Sequence, residues 1–324
     1  MPPRLARLLA VVAALALVAG AFALRTALAD DDGGSVRAGG DGPGSGDGPF
    51  RILCDDDLGA ACEALAGQPG VASVVVVRAG DAVERLSGEA SGDDAAYDAW
   101  LTLDPWPAML ASAGGDGPPL AVTEAVPVAS SPLALLIDPE ASGCEDDATW
   151  ACLTEPARNP VGVASLATAT GPLVLAHAAV GLEGDTDFGV NQMEDTTRAD
   201  LADLLRVVGS ERSRTAAEQA EGLLQPGRFS AVAGPEGGAR DLAARPQGRR
   251  RGLVVAVLAP EATLGVVLAG LGPRGSAAVA TLRAVVTGQT VGRALAEGGW
   301  TGPASRTRGL PDPDVIYRLQ EDLA

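Results

Sequence analysis

The chain of 324 residues contains no lysine, a single histidine, four cysteines and few aromatics: four Trp, two Tyr and four Phe. The missing lysine, beside abundant Ala, Gly and Arg, is a compositional bias without functional weight. With 42 acids against 24 basic residues the formal charge is −18, and no acid occurs before Asp30, so residues 30–324 carry −21. A body this acidic repels polyphosphates and anionic lipid, which excludes nucleic acid as a partner. His177 lies alone in the apolar run LVLAHAAV. It therefore reads as a core or helix residue, and neither a zinc cluster nor a nucleophile–His pair can be assembled around it. No G-x-S-x-G and no phosphate-binding loop occurs, so we expect no enzyme, no cofactor and no resident metal.

What is present begins with Arg4 and Arg7, followed by the uncharged run LLAVVAALALVAGAFAL from Leu8 to Leu24. At about 1.5 Å per residue it sits at the lower edge of the membrane-spanning range. Positive charge before the run sends the remainder outward. Ala27-Leu28-Ala29 has the form of a cleavage site, so residues 1–29 read either as a removed signal peptide or, the reading preferred here, as an uncleaved anchor. Residues 30–49, rich in Gly, Asp, Ser and Pro, read as a flexible tether of roughly 25 Å. Export agrees with the cysteines. Cys54 and Cys62 share the C-x7-C spacing of Cys144 and Cys152, and two local disulfides are the natural reading in an oxidising compartment.

From Phe50 onward, strands and helices alternate. Strands are expected at Arg51–Cys54, Ala72–Val77 (as a strand buried on both faces), Tyr97–Leu103, Ala121–Val128, Pro132–Ile137, Val161–Ser165, Phe229–Val232, Gly252–Leu258 and Leu264–Leu268. Helices are expected at Leu58–Leu65, Asp81–Leu86, after Pro105, around Trp150, over Gly171–Val180, from a capping box at Thr197–Asp200, over Gly234–Ala244, over Ser276–Thr287 and after Thr290. The alternation implies α/β layers on a mostly parallel sheet. Arg249–Arg251, a basic run in an acidic body, reads as a solvated loop.

In this order the segments FRILCDDDLGAACEAL, VASVVVVRAGDAVERL, YDAWLTLDPWPAML, AVPVASSPLALLI, NPVGVASLATATGPLVLAHAAVG, FSAVAGPEGG and LVVAVLAPEATLGVVLAGL resemble the type II periplasmic, or extracellular, solute-binding proteins. ALAEGGWTGP and GLPDPDVIYRLQ resemble the carboxyl end of actinobacterial members. The resemblance implies an α/β fold of two lobes joined by a hinge. The first lobe would hold about residues 50–130 and 260–324, the second about 131–259, with a small-molecule ligand between them and an ABC permease, or another membrane protein, as partner. It also implies site positions. Asp98 and Trp100 lie in a D-A-W leading into the cleft, and Trp106 lies at its rim; the competing and preferred reading puts both indoles in the core under a Pro-rich turn. Ser130 and Ser131 match the hinge, Thr168 and Thr170 the start of the second-lobe helix, and Glu236 an acidic position after a second-lobe strand. Asp55, Asp56 and Asp57 stand where oxyanion binders present a hydroxyl and backbone N–H groups. Three carboxylates there argue against molybdate, sulfate or phosphate, and for a cationic or polar neutral ligand or a hard metal ion. For each of these polar residues, helix capping is the plain alternative. An envelope scaffold with a degenerate cleft is the alternative function.

Overall fold

The computed structural model describes residues 48–88, 97–112, 122–144, 149–154, 161–208, 215–225 and 229–323. The expected amino-terminal segment and all but the last two residues of the tether lie outside them. No helix among the described residues is long and apolar enough to cross a membrane.

Strand β1 (Phe50–Asp55) runs through a short turn of helix into α1 (Gly59–Ala66). Then come β2 (Val71–Val77), α2 (Ala79–Gly88), β3 (Ala99–Asp104), α3 (Trp106–Ser112) and the long β4 (Val122–Ile137). Two four-residue helices, α4 (Pro139–Ser142) and α5 (Trp150–Leu153), precede β5 (Val161–Gly162), α6 (Gly171–Glu183), α7 (Asp195–Val208), α8 (Ala216–Leu223), β6 (Ala231–Pro235) and α9 (Glu236–Ala244). The chain closes with α10 (Pro246–Arg250), β7 (Val254–Ala256), β8 (Thr263–Leu271), α11 (Gly275–Val286), α12 (Gln289–Glu297) and α13 (Pro313–Leu323).

The strands hydrogen-bond in the order β2-β1-β3-β8-β4-β6-β5, with β7 also on β4. The first half of β4 pairs β8 as far as Pro132–Thr263, and the second half, from Leu133, pairs β6 and β7. One strand thus crosses from one half of the sheet to the other, at Ser130–Leu133. Helix α11 packs on β4 and β8, and α9 on β4 and β6.

Several expectations change here. The two strands expected at 121–128 and 132–137 are one. Pro127 and Pro132 each lack an N–H, but the ladder absorbs Pro127 with a register shift, and Pro132 falls where the partner changes. The sheet is mixed: β1–β2, β1–β3 and β5–β6 are parallel, whereas the pairs of β3 and β4 with β8, and of β4 with β6 and β7, are antiparallel. Strand β2 is an edge strand and half-exposed, Val76 at 49%, so its β-branched run does not mean burial on both faces. Thr197 lies inside α7 rather than at its start. The capping box belongs to α8, where Thr215 Oγ1 accepts from the Glu218 N–H and Glu218 Oε2 accepts from the Thr215 N–H. Arg249 and Arg250 end helix α10, and Arg251 pairs with the buried Asp138. Both expected disulfides, Cys54–Cys62 and Cys144–Cys152, are present.

His177 is 1% exposed, as an apolar-run histidine should be. The Trp150 indole N–H donates to its Nδ1 at 3.1 Å, and its Nε2 lies 2.8 Å from the Pro260 carbonyl. These partners select the neutral tautomer protonated on Nε2. Burial pushes its pKa down, opposed by the Pro260 contact.

Candidate functional site

Just beyond the carboxyl end of β1, Asp57 meets the starts of α6 and α8, and the start of α9 lines a cavity beside it. Consecutive residues at a strand end diverge, and the three aspartates here do different things. Asp55, completely buried, turns into the core. Its Oδ1 accepts from Trp100 Nε1 at 2.9 Å, and its Oδ2 meets the Thr102 hydroxyl. Burial raises its pKa well above the ordinary value, opposed by the Thr102 and Trp100 donors.

Asp57 turns the other way and bridges the two halves of the sheet. Its Oδ2 accepts from the Thr170 N–H at 2.7 Å, immediately before α6, and its Oδ1 from the Ala216 N–H at 3.3 Å, the first residue of α8. Burial raises its pKa, opposed by hydrogen bonds from Thr170, Ala216 and Thr168.

Asp56 lies between them, with Oδ1 buried and without a hydrogen-bond partner. Burial first, and the Asp57 charge second, push its pKa up to about 7. Among the described residues no group of three His, Cys, Asp or Glu side chains is arranged to hold a metal ion.

Two cavities meet at Asp57. One, of about 140 Å³, lies against Thr170, Ala216, Gly234 and Gly238 and carries Glu221, Asp241 and Glu297 on its walls. The other, of about 240 Å³, carries Asp56 and the start of α1. Trp300 lines both. It is 3% exposed, and its indole N–H has no acceptor among the described residues. Arg245, the cation on the first cavity, is already held by Glu221 and Asp241, so the lining is acidic on balance. Gly237 and Gly299 let the start of α9 approach the segment before Trp300. A Cβ on Gly237 would stand 2.5 Å from the Gly299 carbonyl oxygen, and Gly299 has φ +92°.

No family model matches the chain, and no curated protein matches its sequence. Solved structures do. A ferric binding protein from Campylobacter jejuni superposes with TM-score 0.56 at 11% identity, covering 85% of this chain and 96% of its own. A periplasmic thiamin binding protein gives 0.55 at 14%, covering 88% and 97%. The periplasmic binding protein AfuA from Actinobacillus pleuropneumoniae, bound to fructose-6-phosphate, gives 0.53 at 13%, covering 83% and 88%. The chain has the two-lobed type II periplasmic-binding-protein fold. At these identities the likeness concerns the fold, not the ligand.

Within this fold, Asp55, Asp56, Asp57, Thr168 and Thr170 come together where strand ends meet helix starts. Thr168 Oγ1 donates to the Ser165 carbonyl and accepts from the Gly171 N–H, shaping the turn into α6. Glu236 opens α9, and its carboxylate is paired with Arg240. Trp106, 1% exposed, donates its indole N–H to the Ala169 carbonyl at 2.9 Å, tying α3 to the same turn. Trp100 is wholly buried beneath Asp55.

Three positions are not brought to this cluster. Asp98 lies at the opposite end of β3, accepting from the Arg51 N–H and facing Arg274 at 3.6 Å. Ser130 and Ser131 are buried at the β4 crossing, Ser130 Oγ donating to the Pro303 carbonyl at 2.7 Å.

Ala216 and Trp300 also stand at this cluster and are not among the positions expected from the sequence. The signal for the first was the T-x-x-E at Thr215–Glu218. For the second it was a tryptophan directly after Gly298-Gly299 in an aromatic-poor chain.

The Asp56 shift makes a prediction. Its folded pKa of about 7 lies above the ordinary value of 3.8, so the folded chain binds more protons and its stability falls as pH rises through that interval. Asp55 and Asp57 contribute with the same sign, so Asp56 must be isolated by difference. The melting temperature of the parent minus that of Asp56→Asn should be greater at pH 5 than at pH 8. An equal difference at both values would remove Asp56 as the titrating group.

Proposed function

We propose that residues 50–324 are the binding body of an extracellular solute-binding protein that captures a small polar or cationic ligand between two lobes, about 50–130 with 260–324 and about 131–259, for an ABC importer. Residues 1–29 would hold it at the membrane and residues 30–49 would tether it. The observation that carries this reading is the pair of acidic cavities meeting at Asp57, bounded by helix starts and strand ends and holding an unsatisfied Trp300 donor. The similar structures named above are all described as binding proteins, and the reading is of binding without chemistry. The ligand contacts would come from Asp56, Asp57, Thr170 and Trp300, with Thr168, Glu236 and Trp106 behind them.

A second reading, an envelope scaffold whose cleft takes no solute, draws on the direct contacts across that cleft. Besides those of Asp57 and Trp106, the Gly80 N–H donates to the Ala167 carbonyl and Gln320 Nε2 to the Leu166 carbonyl, each at 2.9 Å.

A screen separates the two. Amino acids, polyamines, quaternary ammonium compounds and neutral sugars are titrated while tryptophan emission and melting temperature are followed. A binder is expected to raise the melting temperature saturably and to shift the emission of Trp106 or Trp300. If no solute does either, the transport reading falls and the scaffold stands.

A further inference from the structure

We propose that Asp57 is the specificity determinant of the cleft. Its carboxylate is a built-in anion that fills the site made by the starts of α6 and α8, so that free oxyanions are excluded and the lobes are latched without a ligand.

The geometry is that of a bound anion. The two carboxylate oxygens each accept one backbone N–H, from two different helix starts, both in the half of the sheet that Asp57 does not belong to. Free N–H groups at the first turn of a helix are the usual recognition element for a small oxyanion, because they point outward and the helix dipole favours negative charge. Here the chain supplies the negative group itself, from the short turn after β1.

A second, independent feature points to a ligand at the same place. Trp300, whose buried indole N–H has no acceptor among the described residues, lines both cavities beside Asp57. Removing the Asp57 side chain would leave the Thr170 and Ala216 donors and the Trp300 donor around one enlarged space. That is a donor set for a tetrahedral or carboxylate anion, in a chain whose −18 charge otherwise repels one.

The inference deepens the solute-binding reading and depends on it for its biological meaning, but its test does not need the natural ligand. In the full-length protein, Asp57→Ala is titrated with sodium sulfate and with sodium acetate, against sodium chloride at matched ionic strength. Sulfate stabilises proteins generally by exclusion from their surface, so the response is read relative to the parent titrated in parallel. The variant is expected to show a saturable sulfate-dependent rise in melting temperature of about 2–5 °C beyond that of the parent. Its apparent sulfate affinity should be at least tenfold above the parent's and several-fold weaker in Asp57→Ala/Trp300→Phe. Equal responses in variant and parent overturn the proposal.

Should Asp57→Ala fail to fold, amide hydrogen exchange on the ligand-free parent decides. The Thr170 and Ala216 amides are expected to be protected at least a hundredfold over unstructured chain, and exchange at the unstructured rate overturns the latch. If the variant gains sulfate binding while no solute in the screen binds the parent, the latch stands and the transport reading alone falls.

Discussion

Asp55→Ala should lower stability by about 3 kcal/mol, or about 5–10 °C in melting temperature, whereas Asp55→Asn should cost less than about 1 kcal/mol. The asymmetry follows from where the carboxyl group is. Asp55 is wholly buried between Trp100 and Thr102, and both of its oxygens are engaged. Alanine leaves an indole N–H and a hydroxyl buried without partners, each costing about 1–3 kcal/mol. Asparagine keeps an acceptor for Trp100 Nε1 and can donate its amide to the Thr102 hydroxyl. Because burial already disfavours the ionised acid, replacing it with a neutral group gives up little. Thermal melts of the three proteins at pH 7 check this. If Asn proved as damaging as Ala, the site would require the charge, and Asp55 would belong with Asp57 among the groups answering to the cleft.

How much of this was legible beforehand differs between scales. The alternation of elements was, because helix and strand periods are local. The run VVVV at 74–77 and the stripe Val279, Leu282 and Val286 each declare their own geometry. Burial of His177 was legible for the same reason, since an ionisable ring within LVLAHAAV must be satisfied inside the core.

Strand direction was not legible. Whether β8 returns antiparallel between β3 and β4 depends on pairings some 130–170 residues apart, and no local pattern encodes that. The DDD cluster was visible as an anomaly, and on charge alone it argues against a free oxyanion. That Asp55 serves the core while Asp57 grips two helix starts could not be read, because the Asp57 partners lie 113 and 159 residues away. Only the folded chain shows which partners Asp55 and Asp57 take.

Gly171→Ala should be the most disruptive single methyl addition around the cleft, costing about 2–4 kcal/mol. A Cβ on Gly171 would stand 2.1 Å from the Ser165 carbonyl oxygen, 2.6 Å from its carbon and 2.8 Å from the Ala164 carbonyl oxygen. All three are backbone atoms, so no side-chain rotation relieves the overlap, and the 164–170 turn must move as a unit. That turn carries Thr168, whose hydroxyl accepts from the Gly171 N–H, the Ala169 carbonyl that receives the Trp106 indole, and the Thr170 N–H that donates to Asp57. The expected result is therefore a compound one: a lower melting temperature, a red shift of tryptophan emission as Trp106 loses its acceptor, and faster exchange of the Thr170 amide. The control is Gly184→Ala at the carboxyl end of the same helix. Gly184 has φ +78° but nothing within 4 Å of a built Cβ, so the change costs only about 1 kcal/mol, the left-handed backbone penalty, and should leave emission and Thr170 exchange unchanged. If the two variants melted alike, the tight turn before α6 would not be what holds the cleft's donors in place.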